Sequence, residues 1–375
     1  MVLVEIETNT KRRQYADASG IFLEEIKELP AEYFYLFVFH LSNNNLSYLR
    51  AWVQGVPYNS VISIPYSEQR NVKSEIEKLT PVYSPALEEI PEIIIKICRE
   101  NSDKKVVLVQ IGGYSSSIVD KIPNVVLAVE DTERGHRVFV ENEQNLTYPV
   151  VSIARTKGKK MEDEIVGHAI TKSVQLTLSS LRKNVLSGRM LVLGYGGIGR
   201  ATALSLMVKG YIVSAYDPKP ELMEVARKDG CVITKRSEAI GNADVIIGCS
   251  GYESIQTNDI PLLRFDALLI SGSSRQVEFP YGYLSSRKDQ MFKHDLIEKF
   301  DIAERSIYIA YKAQPINFYF DIGLGDIFDI PMTLLVHSVI WGLKNNLANK
   351  LYELPQGECR QVLSRLAKLG LLARS

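Results

Sequence analysis

Gly194, Gly196 and Gly199 stand in the run Met190-Leu-Val-Leu-Gly-Tyr-Gly-Gly-Ile-Gly-Arg200, where an apolar stretch breaks into glycines and then resumes as a helical pattern. Glycines at this spacing let a strand turn tightly into a helix, let backbone N–H groups approach a pyrophosphate, and let helix and strand pack closely. Gly197 and Ile198 complete the turn, and the helix N-terminus beyond it offers partial positive charge to phosphate. Asp217 ends the next apolar run, Tyr211–Tyr216, about twenty residues further on, where a carboxylate accepts hydrogen bonds from an adenosine ribose. Because an acid there repels a 2′-phosphate, the pattern points to NAD rather than NADP as cofactor.

Acid–base chemistry has its own candidates. Lys159 and Asp163 are spaced i, i+4, so a helix places them on one face, and burial would lower the lysine pKa toward that of a useful base. The plainer alternative is a surface ion pair in a basic stretch, since Arg155, Lys157 and Lys160 are adjacent. His40 follows the apolar run Phe34–Phe39, and Asp131 follows Val125–Val129. The ends of strands in open α/β sheets face the crevice where ligands bind, which makes both residues site candidates. His40, His136, His168, His294 and His337 include no i, i+4 pair, so no metal is expected. Cys98, Cys231, Cys249 and Cys359 lie far apart and read as reduced, mostly buried thiols.

These residues need elements to carry them. Downstream of the glycines, helices are expected at Ala201–Lys209 and Glu221–Lys228, and short buried strands at Cys231–Thr234, Asp244–Cys249 and Ala267–Ser271. Upstream, strands are expected at Phe34–Phe39, Val61–Ile64, Val106–Ile111 and Val125–Val129, with helices at Leu46–Gln54, Val72–Lys78 and Pro91–Glu100. A long helix over Met161–Lys183 connects the two regions, and Met332–Leu343 forms another that crosses back. The fold class is therefore α/β with two domains joined by long helices. Residues 1–167 form an α/β substrate domain, residues 168–332 a Rossmann NAD-binding domain, and residues 333–375 C-terminal helices returning to the first. A cleft between such domains is where a substrate would meet a nicotinamide.

Composition narrows the function. The chain has 375 residues, 46% of them hydrophobic, and a formal net charge of zero with Lys and Arg scattered rather than striped. No nucleic-acid partner is expected. The charged start Met1-Val-Leu-Val-Glu-Ile-Glu does not suit a signal peptide, and no uninterrupted apolar run approaches membrane-spanning length, so the expectation is a cytoplasmic protein without a membrane partner.

The motifs together resemble the S-adenosylhomocysteine hydrolase family along most of the chain. Gly194-Tyr-Gly-Gly-Ile-Gly-Arg-Ala201 is similar to the family's Gly-Tyr-Gly-Asp-Val-Gly-Lys-Gly, and Asp217 falls at the place of its ribose-binding glutamate. Glu130-Asp-Thr-Glu-Arg-Gly135 resembles Glu-Glu-Thr-Thr-Thr-Gly, which implies a substrate contact for Asp131 and an NAD contact for Thr132. Lys159 and Asp163 fall where the family has a lysine and an aspartate beside the substrate ribose, and His40 in Phe39-His-Leu-Ser42 resembles an acid/base histidine in Leu-His-Met-Thr. In that family NAD oxidises the substrate's 3′-hydroxyl, which permits elimination at the neighbouring carbon, and is then restored.

Other positions depart from the family. Gln110-Ile-Gly-Gly-Tyr114 stands for Asp-Asp-Gly-Gly-Asp, Ser273-Ser-Arg-Gln276 for Gly-His-Phe-Asp, and Gly325-Asp-Ile-Phe-Asp329 covers a Gly-His-Pro-Ser-Phe segment. Glu164 replaces an asparagine, and no counterpart of the family's C-terminal lysine and tyrosine is found before Ser375. The resemblance thus implies an NAD-dependent enzyme that oxidises a secondary hydroxyl of a small polar or nucleoside-like substrate with tightly bound NAD. A genuine S-adenosylhomocysteine hydrolase with substituted site residues and a non-catalytic NAD-binding sensor or interaction module are the alternatives. A homo-oligomer is expected by the same resemblance.

Overall fold

Runs such as Phe34–Phe39 and Val106–Gln110, apolar at nearly every position, are stable only where helices cover both faces of a sheet. The computed structural model describes residues 15–181, 188–302 and 305–369, and it arranges them accordingly in two units. Unit 1 takes the chain up to Glu162 and again from Gly323, and unit 2 is Asp163–Ile322.

In chain order the strands are β1 (Phe34–Phe39), β2 (Asn59–Ser63), β3 (Val82–Tyr83), β4 (Val106–Gln110), β5 (Val125–Glu130), β6 (Val150–Ser152), β7 (Arg189–Leu193), β8 (Ile212–Tyr216), β9 (Val245–Gly248), β10 (Ala267–Ser271), β11 (Ile297–Ile302), β12 (Arg305–Ala310) and β13 (Leu351–Glu353). Unit 1 has the order β3-β2-β1-β4-β5-β6-β13, every pair parallel. Unit 2 has the order β8-β7-β9-β10-β12-β11, parallel except for the last pair. The chain reverses its direction of travel at β1/β4 in unit 1 and at β7/β9 in unit 2, and again in unit 2 where β12 inserts between β10 and β11. The crevice beyond the carboxyl ends of such strands is where open α/β sheets bind ligands.

The helices used below are α1 (Gly20–Lys27), α2 (Glu133–Glu141), α3 (Lys157–Ser180), α4 (Gly197–Val208), α5 (Asp329–Lys344) and α6 (Gln356–Lys368). The connecting helix begins four residues before its expected start at Met161, and the stretch toward Lys183 passes outside the described residues, as does the charged start at Met1. The strand expected at Cys231–Thr234 is reduced to one bridge between Ser214 and Val232, because Gly230 at φ +98° turns the chain immediately before it. The antiparallel β11–β12 hairpin, the short β3 and β6, and β13 were not foreseen. Three residues or fewer carry too little periodicity to announce a strand.

α5 is apolar nearly all round and lies buried in unit 1 against β5, β6, α1 and α6. By length and composition alone the stretch Asp326–Lys344 is apolar enough to cross a membrane, though Asp329, Thr333, His337 and Ser338 interrupt it; 78% of its most apolar window is buried inside the protein, as in a core helix. Several of its polar side chains are paired, although the buried Ser338 hydroxyl has no partner among the described residues. Asp329 accepts the Ser19 N–H at 2.9 Å and the Thr333 hydroxyl at 3.2 Å. His337 places Nδ1 3.1 Å from Glu25 of α1 and Nε2 2.8 Å from Glu358 of α6, and Arg365 also reaches Glu25. Ionised carboxylates only accept, so both ring nitrogens carry protons and His337 is an imidazolium that ties three helices together.

Burial opposes that charge, but the hydrogen bonds and charges of Glu25 and Glu358 outweigh it and raise the His337 pKa. The stabilisation is therefore complete below the unfolded value of about 6.5 and declines as pH rises through the elevated folded value. Thermal unfolding measured from about pH 6 to about pH 9 is expected to show this decline. His337→Gln is expected to flatten it and to cost about 1–3 kcal/mol at the acid end.

Candidate functional site

The parallel order of unit 1 brings the loops after β1, β4 and β5 to one edge. The turn after β4 passes through Gly112 and Gly113 at φ +105° and +69°, a left-handed course that glycine tolerates best. Its N–H groups point at Glu130, the last residue of β5, which is fully buried. Glu130 accepts the N–H of Gly112 at 3.0 Å, of Gly113 at 2.9 Å and of Thr132 at 2.8 Å, and the Thr132 hydroxyl at 2.6 Å. Burial pushes its pKa up to about 7, against the hydrogen bonds from Thr132 and Gly112. Thr132 in turn caps α2 by accepting the Gly135 N–H at 3.0 Å. Its expected NAD contact thus falls on a residue already engaged inside unit 1.

Glu130 fixes where Asp131 stands. Asp131 is 7% exposed and accepts Lys159 Nζ on both oxygens, at 2.8 and 2.7 Å. Lys159 lies in the first turn of α3 and is also paired with Glu162, three residues on. The expected pairing of Lys159 with Asp163 is not what the structure shows. The Asp163 carboxylate lies against Gly197, where a Cβ would meet it, at the positive end of α4. A longer glutamate at i+3 and the buried aspartate that follows β5 hold the ammonium in its place.

The expectation of a depressed lysine pKa is likewise overturned. Burial lowers it, but the charges and hydrogen bonds of Asp131 and Glu162 raise it well above the ordinary value, so Lys159 is an ammonium at rest. His40 is half-buried beyond β1, with Nδ1 2.6 Å from Ser67 Oγ and its ring 5.6 Å from that of Tyr66. Ser67 donates its own proton to the Ile64 carbonyl at 3.0 Å, so Nδ1 carries the proton and Nε2 the lone pair. Burial and the nearby Lys159 charge push the His40 pKa down to about 3 and keep the ring neutral.

In unit 2 the glycine loop leaves β7 and opens α4. Gly194 is at φ +91°, and a Cβ there would strike the backbone of Ser250. At Gly199 a Cβ would strike the Gly194 carbonyl, so helix and strand meet without side chains between them. Gly196 is different, because nothing lies within 4 Å of where its Cβ would be. Ile198 packs on the core of the unit. Asp217 follows β8 and accepts the Tyr195 N–H at 2.8 Å and the Lys219 N–H at 3.0 Å, which holds its carboxylate beside the loop. Arg200 pairs with Asp229 at 2.6 and 2.9 Å, and the Tyr195 hydroxyl joins them at 3.0 Å.

Three acids escaped sequence reasoning: Glu130, Glu162 and Glu278. Glu278 is fully buried and accepts Gly251 N–H at 2.7 Å, Ser250 Oγ at 2.9 Å and Ser254 Oγ, tying together the loops after β9 and β10. A glutamate at the end of a fully apolar run, as at Glu130, is the one signal that could have been used. Among the described residues no group of His, Cys, Asp and Glu suits a metal ion.

No protein-family model matches the chain. An uncharacterized protein of Mycobacterium tuberculosis is 30% identical over 180 residues, 47% of this chain and 33% of that protein. An adenosylhomocysteinase of Thermotoga maritima is 24% identical over 258 residues, 64% of this chain and 61% of that protein. An S-inosyl-L-homocysteine hydrolase of Methanosarcina mazei is 24% identical over 260 residues, 67% and 61% of the respective chains. The chain thus spans a third of the first relative and about three fifths of the other two, a weak and partial similarity. Among solved structures, a phosphoglycerate oxidoreductase from Vibrio cholerae has TM-score 0.45 and 12% identity, over 78% of this chain and 96% of that one.

The Glu130 clamp has a direct test. Gly135 lies in α2, and a Cβ there would overlap the Glu130 carboxyl group. In a helix Gly→Ala ordinarily stabilises by up to about 1 kcal/mol. Gly135→Ala is expected to destabilise by about 1–3 kcal/mol instead, read by denaturant unfolding.

Proposed function

We propose that the chain is an NAD-dependent enzyme that oxidises a secondary hydroxyl of a small polar, nucleoside-like substrate. The observation that carries the reading is the glycine loop of unit 2, where the one glycine with open space, Gly196, stands between two that the fold itself requires. That fits a pyrophosphate lying against backbone N–H groups at the start of α4, with the Asp217 carboxylate placed for a ribose. Gly194, Gly196, Gly197, Ile198 and Gly199 would form the cradle, and Asp163 beside Gly197 would orient what approaches the helix end. When bound, NAD supplies the hydride acceptor.

The unit 1 cluster supplies the proton chemistry. An alcohol losing hydride must also lose its hydroxyl proton, and a resting ammonium cannot accept one. Lys159 can accept it only as it passes a proton of its own to Asp131, 2.7 Å away, so the pair acts as one relay with the carboxylate as sink. His40 would contact substrate rather than move protons, since a ring held this far from protonation is a weak base. The similarity to hydrolases of S-nucleosidyl homocysteines supports the nucleoside-like substrate class. The changes at Gln110–Tyr114 and Ser273–Gln276 support an altered reaction rather than the family's own.

Two variants separate cofactor from chemistry. Gly196→Ala is expected to leave the melting temperature of the free protein unchanged and to abolish saturable NAD binding by calorimetry. Lys159→Met is expected to bind NAD normally yet lose about 10²–10⁴-fold in reduction of bound NAD when nucleosides are screened at 340 nm, about the wavelength of reduced nicotinamide. Turnover that survived Lys159→Met would remove the relay, and NAD binding that survived Gly196→Ala would remove the cradle.

A further inference from the structure

Unit 2 carries a second concavity away from the glycine loop. β11 runs antiparallel to β12 with Ile297 opposite Ala310, so the start of β11 and the end of β12 lie together. The segments entering and leaving them line a cavity of about 500 Å³, within the range of small-molecule sites. β7 and β11 are separated by β9, β10 and β12, four strand steps of about 4.8 Å, on the order of 19 Å. The cavity is therefore distinct from the glycine cradle.

Its charge is unbalanced in one direction. Glu298 is neutralised in the wall, with Lys288 at 2.5 Å on one oxygen and the Tyr281 hydroxyl at 2.6 Å on the other. Lys293 and Lys312 also line it, and neither ammonium has an acidic partner among the described residues. Asp295 is the remaining acid, which leaves one positive charge in excess. His294 accepts the Leu296 N–H on Nδ1 at 3.1 Å, so its Nε2 carries a proton to donate. Aromatic surface is present too: Tyr311 and Tyr319 meet edge to face at 5.1 Å, and Phe292 lies parallel to His294 at 6.3 Å.

The backbone at this place is strained. Tyr311, Lys312 and Ala313 take φ values of 49°, 52° and 59°, three successive non-glycine residues in the left-handed region. The turn is held by the Tyr311 N–H on the Leu296 carbonyl at 2.7 Å and by the Gln276 amide, which donates to the Lys312 carbonyl. Such strain persists only where surrounding structure enforces it, and it clusters at ligand sites. Here it sets the direction in which the Lys312 side chain leaves the chain.

We propose that this cavity is a second ligand site, for a small planar molecule bearing a phosphate or carboxylate. The ring lies against the aromatic wall and the anion takes the charge of Lys293 and Lys312. The site stands apart from the dinucleotide reading. The test is calorimetric titration of the full chain with phenyl phosphate, benzoate and inorganic phosphate, each with and without NAD. One ring-bearing anion is expected to saturate a single site, at least tenfold tighter than inorganic phosphate, and equally well with NAD present. The double variant Lys293→Ala/Lys312→Ala is expected to weaken it at least tenfold. Lys312→Gly, which relieves the positive φ, is expected to raise the melting temperature while still weakening the anion. Absence of saturation by either ring-bearing anion, displacement by NAD, or unchanged affinity in the double variant would overturn the proposal.

Discussion

The buried carboxylate of Glu130 is the interaction on which the working edge of unit 1 depends. A Gly-Gly turn after a parallel strand leaves backbone N–H groups facing inward, and such nests bind anions. Here the anion is internal: Glu130 fills the nest with its own side chain, takes the Thr132 N–H and hydroxyl as well, and so fixes the loop that carries Asp131. Asp131 then fixes Lys159, whose charge adds to burial in keeping His40 neutral. Unit 2 uses the same device at Glu278, where a buried glutamate binds the loops after β9 and β10. The two sheets differ in strand order but share the means by which irregular loops are held at their carboxyl edges.

This chain of dependence explains why Lys159 is not the depressed base its burial alone would make it. A buried ammonium without partners would shed its proton, whereas one with two carboxylates at contact distance keeps it. Reactivity therefore belongs to the pair with Asp131 rather than to the lysine. Substrate binding that drew Glu162 away would change the balance, because it removes one of the two charges that favour the ammonium.

Much of the scaffold was legible in the sequence. β1 and β10 have the ranges their apolar runs announce, and the glycine loop, α4 and the acid after β8 lie where spacing puts them, because each is set by local geometry within a few residues. The partner of Lys159 was not legible. An i, i+4 rule sees only neighbours on one helix, while Asp131 arrives from a strand end 28 residues away and depends on a clamp two loops distant. β13 was missed for a related reason, since a short edge strand is specified by what it pairs with, whereas β11 and β12 carry charged and polar residues that break their apolar pattern. The membrane-length apolarity of the stretch ending in α5 shows the converse, because composition alone does not distinguish a core helix from a spanning one.

β13 closes the unit 1 sheet by pairing Leu351 with Val150, so the strand at one end of the first domain is made only after all of unit 2 has been synthesised. During translation the first strands can assemble, yet β6 waits with an unpaired edge and β5 with an uncovered face until α5 and β13 emerge. Unit 2, contiguous in sequence, has no such dependence and can fold as soon as it leaves the ribosome. Unit 2 can therefore complete its sheet before unit 1 does, although unit 1 is begun first, and the interval before β13 emerges is when the edge of β6 is most exposed to wrong strand pairing.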